Sequence, residues 1–410
     1  MYSFGAFILR GVSFFLIPVY TRYLVPAEYG KLDLLNTFSS TLEIVFSLGL
    51  FQVFYMEFFK KDEAGKKELV DRILSVYLLL TTTLYALTAV VLFFFHESML
   101  LNVRLILIYA ALSVSYLNFF QNCFTILLRL YERARLLTMI QVGVGSGAIL
   151  MNVFFVVSLR IGIQGILLSN LLAVLITNLL AVSSYRSIYG SFKFYHKLRD
   201  YKELLRYSLV FIPGSLAFWL MNTVSRWMLL KYAGLHEVGI YSVAVKFSSI
   251  FDPLLIQPFL GSYNPRMLKG FSEGNFNQRS GWLVPLVIGF FAVAGFVVAA
   301  LASTLVAPAY QDAIHYIPIL VIGVGFGVVA QVAVLLIIFR RKIHLSLSSM
   351  LTGFSVSVLA NYLLVLRFGG IGAAYGTAAG NLVWMLLVFY FNRREQKQAM
   401  EDWVKQEVEQ

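Results

Sequence analysis

Residues 283–306 read LVPLVIGFFAVAGFVVAALASTLV, with no charged side chain anywhere in the run. A stretch of this kind is long enough to cross the hydrocarbon core of a bilayer as a helix, which takes about 20 apolar residues. Inside that core each backbone N–H and C=O must be paired within the protein, and a helix does this alone. Such runs recur along the whole chain. Broken at clusters of charge, Gly and Pro, hydropathy gives twelve expected spans: 2–20, 32–55, 73–95, 105–128, 136–158, 162–183, 207–230, 238–260, 282–306, 316–338, 344–366 and 372–391. The start, MYSFGAFILRG, has no basic leader and reads as the first span. The spans at 162 and 372 follow very short turns, so each closes a hairpin. Apolar residues make up 59% of the chain and charged residues 13%, about half the share of a soluble domain. The expected class is an all-α polytopic membrane protein.

The basic residues set its expected orientation. With the N-terminus in the cytoplasm, 24 of the 33 Lys and Arg fall in inner segments and the tail, 6 fall in outer loops, and Arg10, Arg226 and Lys246 fall within spans. Retention of Lys and Arg on the inner side places both termini in the cytoplasm. The net charge of +12 follows this topology and does not gather in one patch, so no nucleic-acid partner is implied. The single cysteine, Cys123, excludes an internal disulfide, and the five histidines show no metal-ligand spacing. No phosphate-binding glycine loop ending in Lys-Ser or Lys-Thr occurs, so nothing reads as an ATPase.

A short phrase is written twice. YLVPAEYG at 23–30 and YAGLHEVG at 232–239 share Tyr, Glu and Gly at a separation of 209 residues. The same separation links Asn152 to Asn361, Glu43 to Asp252 and Asn122 to Gln331. This predicts two six-helix lobes inserted with the same orientation, a parallel internal repeat that holds substrate between lobes and alternates access. The expected division is an N-terminal lobe at 1–190, a basic cytoplasmic linker at 191–206, a C-terminal lobe at 207–391 and a cytoplasmic tail at 392–410. The linker region alternates Phe and Tyr with Lys and Arg, which suits an amphipathic helix on an anionic leaflet.

FFLIPVYTRYLVPAEYGKLDLLNTF (14–38) resembles the start of the bacterial polysaccharide and O-antigen flippases of the multidrug/oligosaccharidyl-lipid/polysaccharide exporter superfamily. The stretch 207–247 resembles their second hallmark, with Pro213 early in the helix, Arg226 near its end, then Gly239-Ile240-Tyr241. Relatives often carry Asp before that Arg; here Ser225 stands there. Relatives also usually begin with a short polar leader, which leaves open whether Met1 is the native start. The resemblance implies a secondary transporter in the bacterial inner membrane. Its substrate would be an undecaprenyl-pyrophosphate-linked oligosaccharide, moved from the cytoplasmic to the periplasmic leaflet for polysaccharide biosynthesis. It implies no cofactor, with coupling to a proton or sodium gradient open. The implied partners are the lipid-linked glycan and pathway proteins such as a polysaccharide polymerase. Rival readings are a multidrug or organic-cation exporter, a peptidoglycan-precursor flippase (a branch that usually has two further spans) and a membrane-embedded polysaccharide enzyme. The last is disfavoured by the short outer loops and the lack of a nucleophile–base set.

Charged groups at mid-bilayer cost ~2.5–3.5 kcal/mol on insertion scales, so each should face protein or water. Arg10, Arg226 and Lys246 are candidate pyrophosphate donors, and Glu43 and Asp252 candidate ion-coupling carboxylates. A structural ion pair of Arg10 with Glu43 is the competing, less favoured reading, and Arg226 could snorkel outward. Asn118, Gln121 and Asn122 share one helix face at i, i+3 and i+4, and with Gln331 they suit sugar hydroxyls, since an amide both donates and accepts. Helix–helix glue is the competing role. Pro18, Pro213, Pro253 and Pro258 are expected to kink spans, and Gly143, Gly145 and Gly147 to mark close packing.

Overall fold

The computed structural model describes residues 16–99, 104–195, 198–274 and 283–409. Among them all secondary structure is helical. The chain forms two compact units. One holds the residues up to Leu24 together with Lys31–Leu216; the other holds Val25–Gly30 and the residues from Ala217 onward.

The first unit starts with helical residues 16–23, followed by α1 (Pro26–Phe46) and α2 (Leu50–Glu57). Pro26 opens α1 where its missing N–H is not needed, and Glu28 sits in the first turn, where the helix dipole favours a carboxylate. Leu48 and Gly49 both take positive φ, and the chain bends by 49° between α1 and α2. Thr81 Oγ1 donates to the Phe46 carbonyl at 2.9 Å, satisfying an acceptor that the bend leaves open. Asp62 caps α3 (Glu63–Val76) by accepting from the Gly65 N–H. A π-helical turn, Tyr77–Thr81, joins α3 to α4 (Thr82–Met99). Then come α5 (Leu105–Leu130), α6 (Ala134–Val153) with a second π turn at Phe154–Ser158, α7 (Gly162–Tyr189) and α8 (Leu198–Ser208). Phe54, Ile73, Tyr77 and Phe119 are the centre of the core, where α2, α3 and α5 meet.

The second unit contains most of α9 (Ile212–Tyr232), then α10 (Gly234–Ser248), a third π turn at Asp252–Ile256, and α11 (Gln257–Ser272). It continues with α12 (Leu283–Leu305), α13 (Ala313–Phe339) and α14 (Ile343–Glu409). α13 is the buried centre, packed on α10, α12 and α14. Its apolar residues run around the whole circumference, as a helix enclosed by others requires. α14 breaks at Gly369, whose φ of 56° and ψ of −130° suit only glycine. The side chain of Glu237 holds this break: its Oε1 accepts the Gly370 N–H at 2.9 Å and the Tyr316 hydroxyl at 2.6 Å. Past the last span α14 runs on as a helix. There the buried carboxylate of Glu395 meets Arg340 Nε at 2.9 Å and Lys342 Nζ at 2.7 Å, both from the turn before α14.

Nine described helices are long and apolar enough to cross a membrane, and the bent α1–α2 pair adds a tenth. α14 carries two expected spans, 344–366 and 372–391, on either side of its break. The first expected span lies mostly outside the described residues, although 16–20 are helical.

The repeat has local counterparts. Asn152 and Asn361 each donate Nδ2 to the carbonyl four residues earlier, Ala148 at 2.9 Å and Ser357 at 2.8 Å. The two copies of the short phrase touch within the second unit. A Cβ on Gly30 would overlap the Leu235 carbonyl oxygen, and one on Gly239 would overlap the Pro26 carbonyl oxygen. Pro26 and Leu235 are themselves 209 residues apart. The contact is therefore reciprocal: each glycine admits the other copy's backbone.

One expectation is corrected. The glycine face of α6 does not mark close packing at Gly143 or Gly147, where an added Cβ would meet nothing within 4 Å. Pro213 and Pro258 each fall at the second residue of α9 and α11, directly after a 3-10 or π turn, inside the continuous helical stretches Leu204–Tyr232 and Gly234–Phe271.

Candidate functional site

Glu43 lies near the C-terminal end of α1 and faces α5. Asn122 Nδ2 donates to Glu43 Oε1 at 2.8 Å, and Asn118 Nδ2 approaches Oε2 at 3.4 Å. The two amides stand one turn apart, so a single helix face serves both carboxylate oxygens. Each oxygen has a second lone pair available. Asn122 is exposed and Glu43 only part-buried, so the cluster is open on one side. Gln121 lies beside it, half-buried, with its Oε1 buried and without a partner among the described residues.

A hydroxyl web fixes the two helices one turn away. Ser115 Oγ donates to the Ser39 carbonyl at 2.8 Å, so the 2.6 Å contact with Tyr85 must use the tyrosine proton. Ser39 precedes Glu43 by four residues, and Ser115 precedes Asn118 by three. This one web therefore joins α1, α4 and α5 and sets the register of carboxylate against amides. Below it, Tyr77 of the first π turn stacks on Phe119, with ring centroids 3.4 Å apart and planes 6° apart, and its hydroxyl donates to the Tyr116 carbonyl. A π turn carries one extra residue per turn, and such turns are frequent at functional sites. Here it brings Tyr77 into line with the α5 aromatics. The sequence reading missed Tyr77, Tyr85 and Ser115. Their one signal was Tyr116, Phe119 and Phe120 at i, i+3 and i+4 on α5, the face opposite the amides.

In the second unit, Arg226 is 8% exposed and does not snorkel outward. Its Nη1 donates to the Asn222 carbonyl at 3.0 Å. Beside it Ser225 Oγ, Tyr241 Oη and Thr377 Oγ1 form a buried hydroxyl chain with links of 3.0 and 3.1 Å. Ser225 is thus a neutral hydrogen-bonding residue. Lys246 is exposed and Gln331 half-buried; among the described residues neither side chain makes a hydrogen bond or ion pair. Asp252 opens the third π turn and accepts from Gln257 Nε2 at 3.1 Å. Arg10 lies outside the described residues, as does any pairing with Glu43. Among the described residues no group of three or more His, Cys, Asp or Glu could hold a metal ion.

A family model described as polysaccharide biosynthesis protein matches residues 1–271. A search of curated proteins finds no match. Solved structures do match. A multidrug resistance MATE family transporter of the MOP superfamily, in an inward-facing conformation, gives a TM-score of 0.69 at 15% identity, covering 97% of this chain and 95% of that one. The lipid II flippase MurJ gives 0.74 at 12% identity, covering 97% and 89%. A mutant of the Vibrio cholerae MATE transporter VcmN gives 0.63 at 15%, covering 98% and 95%. At these identities the likeness establishes the fold alone.

Proposed function

The chain belongs to the polysaccharide biosynthesis protein family, and from that premise we propose that it is a secondary flippase for an undecaprenyl-pyrophosphate-linked oligosaccharide. Both termini lie in the cytoplasm of a bacterial inner membrane, and the substrate moves to the periplasmic leaflet. A glycan cannot cross hydrocarbon unaided, because each unpaired polar group costs several kcal/mol there. A wall of amides and carboxylate, able to trade its hydrogen bonds for those of a sugar, removes that cost.

The observation that carries this reading is the Glu43–Asn118–Asn122 cluster, open on one side within a membrane-spanning unit. Glu43 and Asp252 are the proposed coupling carboxylates for a proton or sodium gradient. Arg10, Arg226 and Lys246 are the proposed pyrophosphate donors, with Arg binding bidentately and Lys as a point charge. Gln331 and Gln121 extend the sugar-binding amides.

The test is deletion of the gene in its native host. Lipid-linked glycan should accumulate on the cytoplasmic face, and wild-type protein but not Glu43→Gln should clear it. Unchanged glycan together with a shifted susceptibility to cationic drugs would overturn the proposal in favour of the exporter.

A further inference from the structure

Away from the Glu43 cluster, the first unit contains a cavity of about 660 Å³ between α2, α3 and the end of α8 with the 3-10 turn Leu209–Phe211 that follows it. That is within the range that holds a small-molecule ligand, roughly 300–1,000 Å³. Its wall has two chemistries. Val53, Leu204 and Val210 form an apolar side, and Val210 is 74% exposed, so this side continues onto the surface that a membrane protein turns to lipid. Lys61, Arg72 and Arg206 form a basic side.

Two carboxylates also line the cavity, and both are already engaged: Glu57 with Lys60 at 2.8 Å, and Glu68 with Arg72. Lys61 and Arg206 are exposed, and among the described residues neither makes an ion pair. The cavity therefore presents two unneutralised cations above an apolar channel. A free phosphate would satisfy only the cations, and a neutral lipid only the channel. We propose that this cavity binds an anionic glycerophospholipid of the adjoining leaflet, with its phosphate between Lys61 and Arg206 and an acyl chain along Val53, Leu204 and Val210. The guanidinium of Arg206 can take two phosphate oxygens, and Lys61 adds a point charge. The inference rests on the membrane-spanning fold alone and stands whether or not the chain moves a glycan.

The test uses full-length protein in nanodiscs of phosphatidylcholine containing a small fraction of phosphatidylglycerol, with bound lipid counted by native mass spectrometry. A basic residue near the surface adds about fivefold to the attraction for anionic lipid, so the two together should give wild-type protein roughly 30-fold enrichment of phosphatidylglycerol. The variant Lys61→Gln/Arg206→Gln should lose that enrichment while keeping its melting midpoint, since both residues are exposed. The control Arg133→Gln/Arg135→Gln removes two basic residues that do not line the cavity and should keep the enrichment. Equal loss in the control, or full enrichment in the Lys61/Arg206 variant, overturns the proposal. So does displacement of phosphatidylglycerol by inorganic phosphate, which would mark a simple anion site. Displacement by an equal mole fraction of undecaprenyl phosphate overturns it too, because the cavity would then belong to the carrier lipid.

Discussion

Replacing Gly239 by Ala tests the reciprocal crossing of the repeated phrase. On helix propensity alone the change should help, because Ala is favoured over Gly in a helix by about 1 kcal/mol. The packing opposes it. A Cβ at Gly239 would overlap the Pro26 carbonyl oxygen and lie 2.6 Å from its carbonyl carbon and 3.0 Å from its Cα. All three are backbone atoms, so no rotamer change relieves the overlap, and the crossing must open. Overpacking of this kind costs ~1–3 kcal/mol, and three backbone atoms inside contact distance argue for the upper end. Opening the crossing by 0.5–1 Å also forfeits a quarter to a half of the dispersion energy there. The net is about 1–2 kcal/mol of destabilisation, or roughly 2–8 °C in melting midpoint for a unit of this size. Gly30→Ala should cost less, since after the Leu235 oxygen its nearest atoms lie at 3.0 and 3.4 Å. The double variant should fall short of the sum, because one separation serves both methyl groups. Gly143→Ala is the control. Its Cβ meets nothing within 4 Å, so it should show only the propensity gain of up to about 1 kcal/mol. The measurement is the melting midpoint in detergent, read by intrinsic fluorescence. A Gly239→Ala variant as stable as Gly143→Ala would refute the argument, because the crossing would then have room to spare.

Three further outcomes follow from the structure. Asn122→Ala should impair transport more than Asn118→Ala, since the 2.8 Å bond to Glu43 is the shorter and stronger one; equal effects in a complementation assay would count against the cluster as a unit. Glu237→Ala leaves the Gly370 N–H and the Tyr316 hydroxyl without their acceptor, which should cost ~1–3 kcal/mol, whereas Glu237→Gln keeps one acceptor oxygen and should recover part of it, as thermal unfolding of both variants will show. In a Cys123→Ser background, a cysteine at Lys66 should resist an impermeant thiol reagent in intact spheroplasts and one at His236 should react; labelling at Lys66 from outside would reverse the proposed orientation.

The spans were legible in the sequence because apolar length is a local property, set by bilayer thickness and readable without partners. The repeat was legible because Gly30 and Gly239 keep a backbone approach that no larger residue allows. The candidate site was legible only in pieces. Asn118 and Asn122 could be placed on one face and Glu43 inside a span, but their meeting depends on how α1 packs on α5, 75–79 residues away in sequence. Tyr77 and Tyr85 were hidden for another reason. In a chain with 36 Phe and 23 Tyr, an aromatic that sets register looks like one that faces lipid. Gly143 and Gly147 misled in the opposite sense: small residues at helical spacing suit an interface, yet here the face is open. Glu237 stood out only as part of a repeated phrase, and its work at the break in α14 needed the fold.

Glu395 has a consequence that concerns time. The turn before α14 carries Arg340, Arg341 and Lys342, three cations of the kind that keep a loop from crossing the membrane. In the folded chain one carboxylate takes up two of them, and only Arg341 stays exposed. That carboxylate lies 53 residues beyond Lys342, so it emerges from the ribosome later, by roughly 3–10 s at 5–20 residues per second. During that interval the turn meets the insertion machinery with its full charge. Once the C-terminal helix forms, its carboxylate offsets one of the three positive charges and holds two of the three cations. Two of the cations present in the turn at synthesis thus become, in the folded chain, the seat on which the C-terminal helix is fastened.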